Sequence, residues 1–300
     1  MKKTIIISLI IVGSLPITGI AQESNDTIPK IDMLKIATVN QGNSYITFPT
    51  DIGNIEPLWF EANIVPNFII RRSKNSRLTG ILTPQIIIRM YREESMPVRT
   101  PSYLPQIAIY YNLNKTGQSK SNTLFGKFVH HSNGQDGDFY LPDGEINLIS
   151  GNFSTNSLDF GIINTHYNQK FNAIQFFSTS LEIHPPGWSI EELLGKYSMV
   201  RWHGGFSIYK IPLGKQSATH TRPRISLKGD ITWMFGDVND WAPVSADRIN
   251  LSLTFYFHPR FLEDIGLFVQ AYHGMDYYNI YFNHQISVIR FGIMTDILKF

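Results

Sequence analysis

Arg224-Ile225-Ser226-Leu227-Lys228-Gly229-Asp230-Ile231-Thr232-Trp233-Met234-Phe235 is the stretch that decides the fold class. Its odd positions are Ile225, Leu227, Gly229, Ile231, Trp233 and Phe235, whereas Arg224, Lys228 and Asp230 fall on even ones. Successive side chains of a strand point to opposite faces, so this stretch has one apolar face and one charged face. Period two held over about ten residues marks a strand of an outer-membrane barrel, apolar toward lipid and polar toward the lumen. Ile249, Leu251, Leu253, Phe255 and Phe257 repeat the pattern against Asn250, Ser252, Thr254 and Tyr256.

The same reading places strands near 43–49, 58–71, 78–93, 102–113, 121–133, 152–166, 172–183, 197–211, 222–236, 247–258, 264–275 and 288–300. The expectation is an all-β, transmembrane antiparallel β-barrel of about twelve strands over residues 35–300, an even number as single-chain bacterial barrels use. Connections after odd strands are mostly longer than those after even ones, which puts both termini in the periplasm of a multi-pass outer-membrane protein. Residues 1–21 read as a signal peptide, with Lys2 and Lys3 before an apolar run that ends near Ala21. Residues 22–34, polar and turn-rich, read as a periplasmic N-terminal arm.

Composition narrows the class further. The mature chain has no apolar run long enough for a transmembrane helix. With no cysteine, disulfide scaffolds and zinc–cysteine sites are excluded. A formal charge of +2 without a basic block gives no reason to expect nucleic acid. Aromatic residues at 13% against 17% charged suit greasy strand faces bounded by aromatic girdles.

Chemistry enters at Phe128-Val129-His130-His131-Ser132-Asn133-Gly134. His130 and Ser132 share a strand face with Leu124, Gly126 and Phe128, so they are expected to point to lipid, one pleat apart and within hydrogen-bond reach. A hydroxyl beside an imidazole is a nucleophile beside its base. Polar groups facing lipid are costly and rarely persist without a use. His131 points the other way, into the lumen, and reads as a pore-lining residue; His166 and His203 fit no ligand spacing and read as surface or lumen residues.

These residues resemble the outer membrane phospholipase A family. The resemblance is carried by His130-x-Ser132-Asn133-Gly134, Arg99-x-x-x-Tyr103-x-Pro105-Gln106, Asn43-Ser44-Tyr45-Ile46 and Gly195-Lys196-Tyr197 with Gly204-Gly205, then by Phe282-Asn283 and Gly292-Ile293-Met294, in family order over most of the chain. It implies a twelve-stranded barrel that hydrolyses phospholipid acyl esters in the outer leaflet with a Ser-His-Asn triad and Ca2+, and that is active as a homodimer. Ser132 then matches the nucleophile, His130 the general base and Asn156 the group that orients it. The parity of Asn156 with Leu158, Phe160 and Ile162 also turns it to lipid; Asn152 shares that parity and is the second choice. The resemblance implies metal ligands at Gln135, Asn152 and, from a partner subunit, Met96.

The chain departs from the family in a longer loop between Ser132 and Asn156, and in Asn152 where a hydroxyl is usual. The loop carries Asp136, Asp138, Asp143 and Glu145, which read either as extra calcium oxygens or as a solvated face. Two other functions compatible with the barrel are a catalytically silent pore or structural protein and a lipid A deacylase.

Overall fold

The computed structural model describes residues 31–71, 77–114, 120–211, 223–262 and 264–295. Fourteen strand segments form a single antiparallel sheet. In two places a pair of segments continues one barrel strand, which leaves twelve strands. Tyr45–Thr47 and Ile52–Gly53 (β1) both pair with the last strand, and Leu58–Ile64 and Phe68–Arg71 (β2) both pair with Leu78–Tyr91 (β3). There follow Ser102–Asn112 (β4), Lys120–Ser132 (β5), Ser154–Asn168 (β6), Ala173–Ile183 (β7), Val200–Lys210 (β8), Ile225–Phe235 (β9), Ile249–Phe257 (β10), Ile265–Met275 (β11) and Gln285–Thr295 (β12). Each strand pairs with its chain neighbours, and β1 pairs with β12 as well as β2, so the barrel is closed.

The alternation expected from sequence is the alternation observed. Leu251, Leu253 and Phe255 are about half exposed, while Thr254 between them is buried. The outer face of this strand is therefore apolar, as a closed sheet needs where its solvent is hydrocarbon. Trp59, Tyr103 and Trp202 are exposed toward one end of the strands, where an aromatic girdle belongs.

The long connections 133–153, 184–199, 236–248 and 276–284 gather at one end, and the short turn 169–172 lies at the other. The connection after β8 is the exception at the short-turn end, and its residues 212–222 lie outside the described ones. So do residues 1–30, with the expected signal peptide, and residues 296–300, where the sequence alternation slips phase.

Two apolar clusters pack inside the barrel, one toward each end, as plugs. At the short-turn end sits a helix, Met33–Gln41 (α1), which the period-two reading did not anticipate. Asp32 caps it by accepting from the Lys35 N–H at 2.9 Å. Ile36 and Ala37 are fully buried against lumen-facing Ile81, Ala108, Tyr110 and Ile174. At the long-loop end, Phe139, Phe153, Leu193, Tyr278 and Phe282 fold inward from the loops and pack with Ile87 and Met234.

Between the plugs the lumen is polar and holds a network of paired charges. Glu61 accepts from Arg89 Nε and Arg290 Nη1, both at 2.7 Å, and Arg89 also clamps Asp276 at 2.6 and 2.8 Å. Tyr45 and Tyr277 donate to the same Glu61 carboxylate. Such a network persists only because every charge has a partner; leaving one buried charge alone costs on the order of 3–5 kcal/mol.

Candidate active site

β5 and β6 bring the site together through their register. His130 lies opposite Asn156, and Ser132 opposite Ser154. All of these project from the outer wall, because they share parity with the exposed Leu124, Phe128 and Phe160.

The hydrogen bonds form a chain. Asn156 Oδ1 lies 2.9 Å from His130 Nδ1, and His130 Nε2 lies 3.0 Å from Ser132 Oγ. The direction of the chain is set by the amide. Asn156 Nδ2 donates to the Trp188 carbonyl at 2.9 Å, so its oxygen must face the imidazole and accept from Nδ1–H. That tautomer leaves the Nε2 lone pair for the Ser132 hydroxyl. The three side chains thus have the geometry of a nucleophile, a base and an orienting acceptor.

The orienting residue is itself held by parts the sequence reading missed. Trp188 O also accepts from the Asn156 backbone N–H at 2.9 Å, and the Trp188 ring meets the edge of Phe128 at 6.0 Å. The loop 184–190 is tied down from the lumen side. Thr155 Oγ1 lies 2.7 Å from His184 Nδ1 and 2.6 Å from Ser189 Oγ, and His184 Nε2 is 2.6 Å from Glu182. His203 reaches the other oxygen of Glu182 at 3.1 Å, in the lumen rather than on the surface. A parity count cannot find a main-chain acceptor such as Trp188; the only hint is Pro185-Pro186-Gly187, which marks a tight turn.

His131 projects inward, packs edge-on against the buried Phe153 at 4.8 Å and lines a lumen cavity of about 190 Å³. It lies in the lumen, apart from His130, as its opposite parity implies. Arg99 stacks over Tyr91, pairs with Glu93 at 2.6 Å and donates to the Tyr281 hydroxyl, so this part of the motif braces the 92–101 loop rather than the triad.

Asn133 organises the loop that follows Ser132. It is buried, donates from Nδ2 to Gly151 O at 2.8 Å, and accepts on Oδ1 from Phe153 N at 3.0 Å and Gln135 N at 3.3 Å. Asn152 N donates to Gly137 O at 2.9 Å. Two of the expected ligands, Gln135 and Asn152, are therefore drawn into one hydrogen-bonded neck. Gly134 turns the chain there with φ +69°, a left-handed value that a side chain would strain. Asn152 makes no contact with His130; Asn156 fills the orienting position.

Met96 is not brought to that neck. It is 68% exposed at the tip of the 92–101 loop, which leads into β4, where Tyr103 pairs with Ser132. The acidic residues Asp136, Asp138, Asp143 and Glu145 are all exposed, and Asp143 accepts from the Glu145 N–H in a local turn. Among the described residues no three His, Cys, Asp or Glu side chains gather as a metal set. The neck offers carbonyl and amide oxygens instead, a donor set that suits a hard cation completed by water.

No protein-family model and no curated protein sequence matches this chain. Solved structures do. An outer membrane phospholipase A structure from Escherichia coli superposes with a TM-score of 0.57 at 13% identity, over 84% of this chain and 92% of that one. The barrel has the fold of outer membrane phospholipase A. An active-site mutant of the Escherichia coli phospholipase aligns at TM-score 0.57 and 12% identity, over 92% of this chain and 94% of its own. A Salmonella typhi outer membrane phospholipase dimer with bound calcium aligns at 0.55 and 13%, over 91% and 94%. What this chain shares with those phospholipases is the architecture, carried by strand register rather than by sequence.

Proposed function

We propose that this barrel is a calcium-dependent outer-membrane phospholipase that hydrolyses acyl esters of glycerophospholipids. The observation that carries the reading is the Asn156–His130–Ser132 hydrogen-bond chain on the lipid-facing wall, where the substrate's ester bonds lie. In this reading Ser132 Oγ attacks the ester carbonyl while His130 Nε2 takes its proton. The resulting tetrahedral adduct collapses to an acyl-serine, and the leaving glycerol oxygen receives the proton from His130. Water then attacks the acyl-serine with His130 again as base, which releases the fatty acid and restores Ser132. Asn156 holds the imidazole throughout without adding a charge that the membrane would penalise.

The Gln135 carbonyl and the Asn152 side chain are the residues of this chain that would hold calcium, which supplies positive charge where the ester oxygen becomes negative. In this reading Met96, exposed and apart from them, serves the site of a second copy, so that a homodimer completes both sites. Both chain ends then lie in the periplasm, and the long-loop end with the triad faces outward.

The test is fatty-acid release from a detergent-dispersed phospholipid by refolded protein, with calcium and with a chelator, alongside Ser132→Ala. Calcium-dependent release that is lost in the variant is the expected result. A folded wild-type barrel that releases nothing under either condition overturns the reading.

A further inference from the structure

A second histidine–serine pair faces lipid on the opposite side of the chain's register. His273 of β11 lies across from Ser287 of β12, with Nδ1 2.7 Å from Ser287 Oγ, and both residues are exposed on the outer wall. Ser287 is fixed by more than its strand. Asn54, just after β1, accepts from the Ser287 N–H at 2.5 Å and donates to the Gln285 carbonyl at 2.8 Å, at the seam where β1 meets β12.

The pair stands at the polar end of an apolar groove of about 760 Å³ that runs over the outer faces of β8 to β12. The groove exists because its floor is low. At Gly229 the Phe206 ring packs down onto the strand, where a Cβ would stand 2.3 Å from it, and the ring itself lines the groove. Ala271, across from Leu253, continues the floor toward His273, and Leu251 and Ile289 wall it.

We infer that this groove binds one membrane glycerophospholipid, with an acyl chain along the floor between Phe206 and Ala271 and the phosphate held by His273. The occupant follows from where the groove is and what it offers. It opens to hydrocarbon, so what fills it is a lipid tail. Its one polar corner lies near the long-loop ends of β11 and β12, at headgroup level. When His273 Nδ1 accepts from the Ser287 hydroxyl, Nε2 carries a proton, and Nε2 has no partner among the described residues. An N–H directed at a lipid headgroup complements an anionic phosphate. The pair is not needed to set register, which runs unbroken from Ile265–Thr295 to Met275–Gln285. Nor is it built as a second hydrolytic centre, because among the described residues the imidazole has no orienting acceptor beyond it.

Native mass spectrometry tests this on lipid-free refolded barrel carrying Ser132→Ala, so that added lipid stays intact whether or not the proposed hydrolysis holds. The probe is dioleoyl phosphatidylglycerol, and folding is checked by the shift in gel mobility on heating. One lipid retained per barrel is expected, with retention falling about tenfold in His273→Ala and in Ala271→Trp, which fills the floor. Should Ala271→Trp misfold, Ser287→Ala, which removes one exposed hydroxyl, takes its place. Retention that is absent in the parent, unchanged in the variants, or displaced by equimolar lipid A overturns the inference.

Discussion

His130 and Ser132 sit two residues apart on one strand, whereas His273 and Ser287 face each other across β11 and β12. In the first pair Nε2 meets the serine and Nδ1 is held by Asn156, so both ring nitrogens are engaged and the tautomer is set. In the second, Nδ1 meets the serine and the far nitrogen is open to the membrane. The difference teaches that a histidine beside a serine is common chemistry with two outcomes. An acceptor behind the ring makes it a base; without one, it is a donor for a ligand.

The comparison breaks most sharply at the nucleophile. Ser132→Ala is expected to lower fatty-acid release by about 10⁴-fold, as loss of a triad member does. Residual activity near wild type would move the chemistry elsewhere, with Ser287 the first place to look. A lipid-like phosphonate that esterifies serine should label Ser132 at least on the order of 10²-fold faster than Ser287, since only an activated hydroxyl attacks it. Peptide mapping of the adduct reads this directly. Asn156→Ala should cost on the order of 10²-fold in kcat, because the ring is then free to rotate away from Ser132. Asn156→Asp separates orientation from charge; recovery of rate would assign the role to the acceptor itself.

The smallest effect is the most distant. Thr155→Val removes the hydroxyl that joins His184 to Ser189 behind the loop of Trp188, and should lower kcat about tenfold with KM unchanged, alongside a stability loss of about 1–3 kcal/mol. Unfolding in urea and kinetics on the same preparation separate the two.

The barrel was legible from parity, and the three candidate residues from parity together with the family resemblance that singled out Asn156. Leu227, Ile231 and Trp233 on one side and Lys228, Asp230 and Thr232 on the other fix which way a strand faces, and the same count turned His130, Ser132 and Asn156 outward together. What parity does not encode stayed hidden. Helix α1 crosses the boundary expected at residues 34 and 35 between arm and barrel, and it forms because Ile36 and Ala37 find an apolar lumen end to fill. The carbonyl of Trp188 carries no side-chain signal at all. The Glu61–Arg89–Asp276–Arg290 network joins residues from opposite ends of the chain that only barrel closure brings together. The second pair was missed because His273 and Ser287 are fourteen positions apart, and their meeting depends on the β11–β12 pairing.

The plugs also bear on what this barrel is as an electrical object. α1 stops one mouth with Ile36 and Ala37, and the inward loops stop the other with Phe139, Phe153 and Phe282. With apolar side chains packed at both ends of the described lumen, the barrel inserted in a planar bilayer should carry no steady current. A cell can then raise the copy number of this protein without short-circuiting the permeability barrier it sits in.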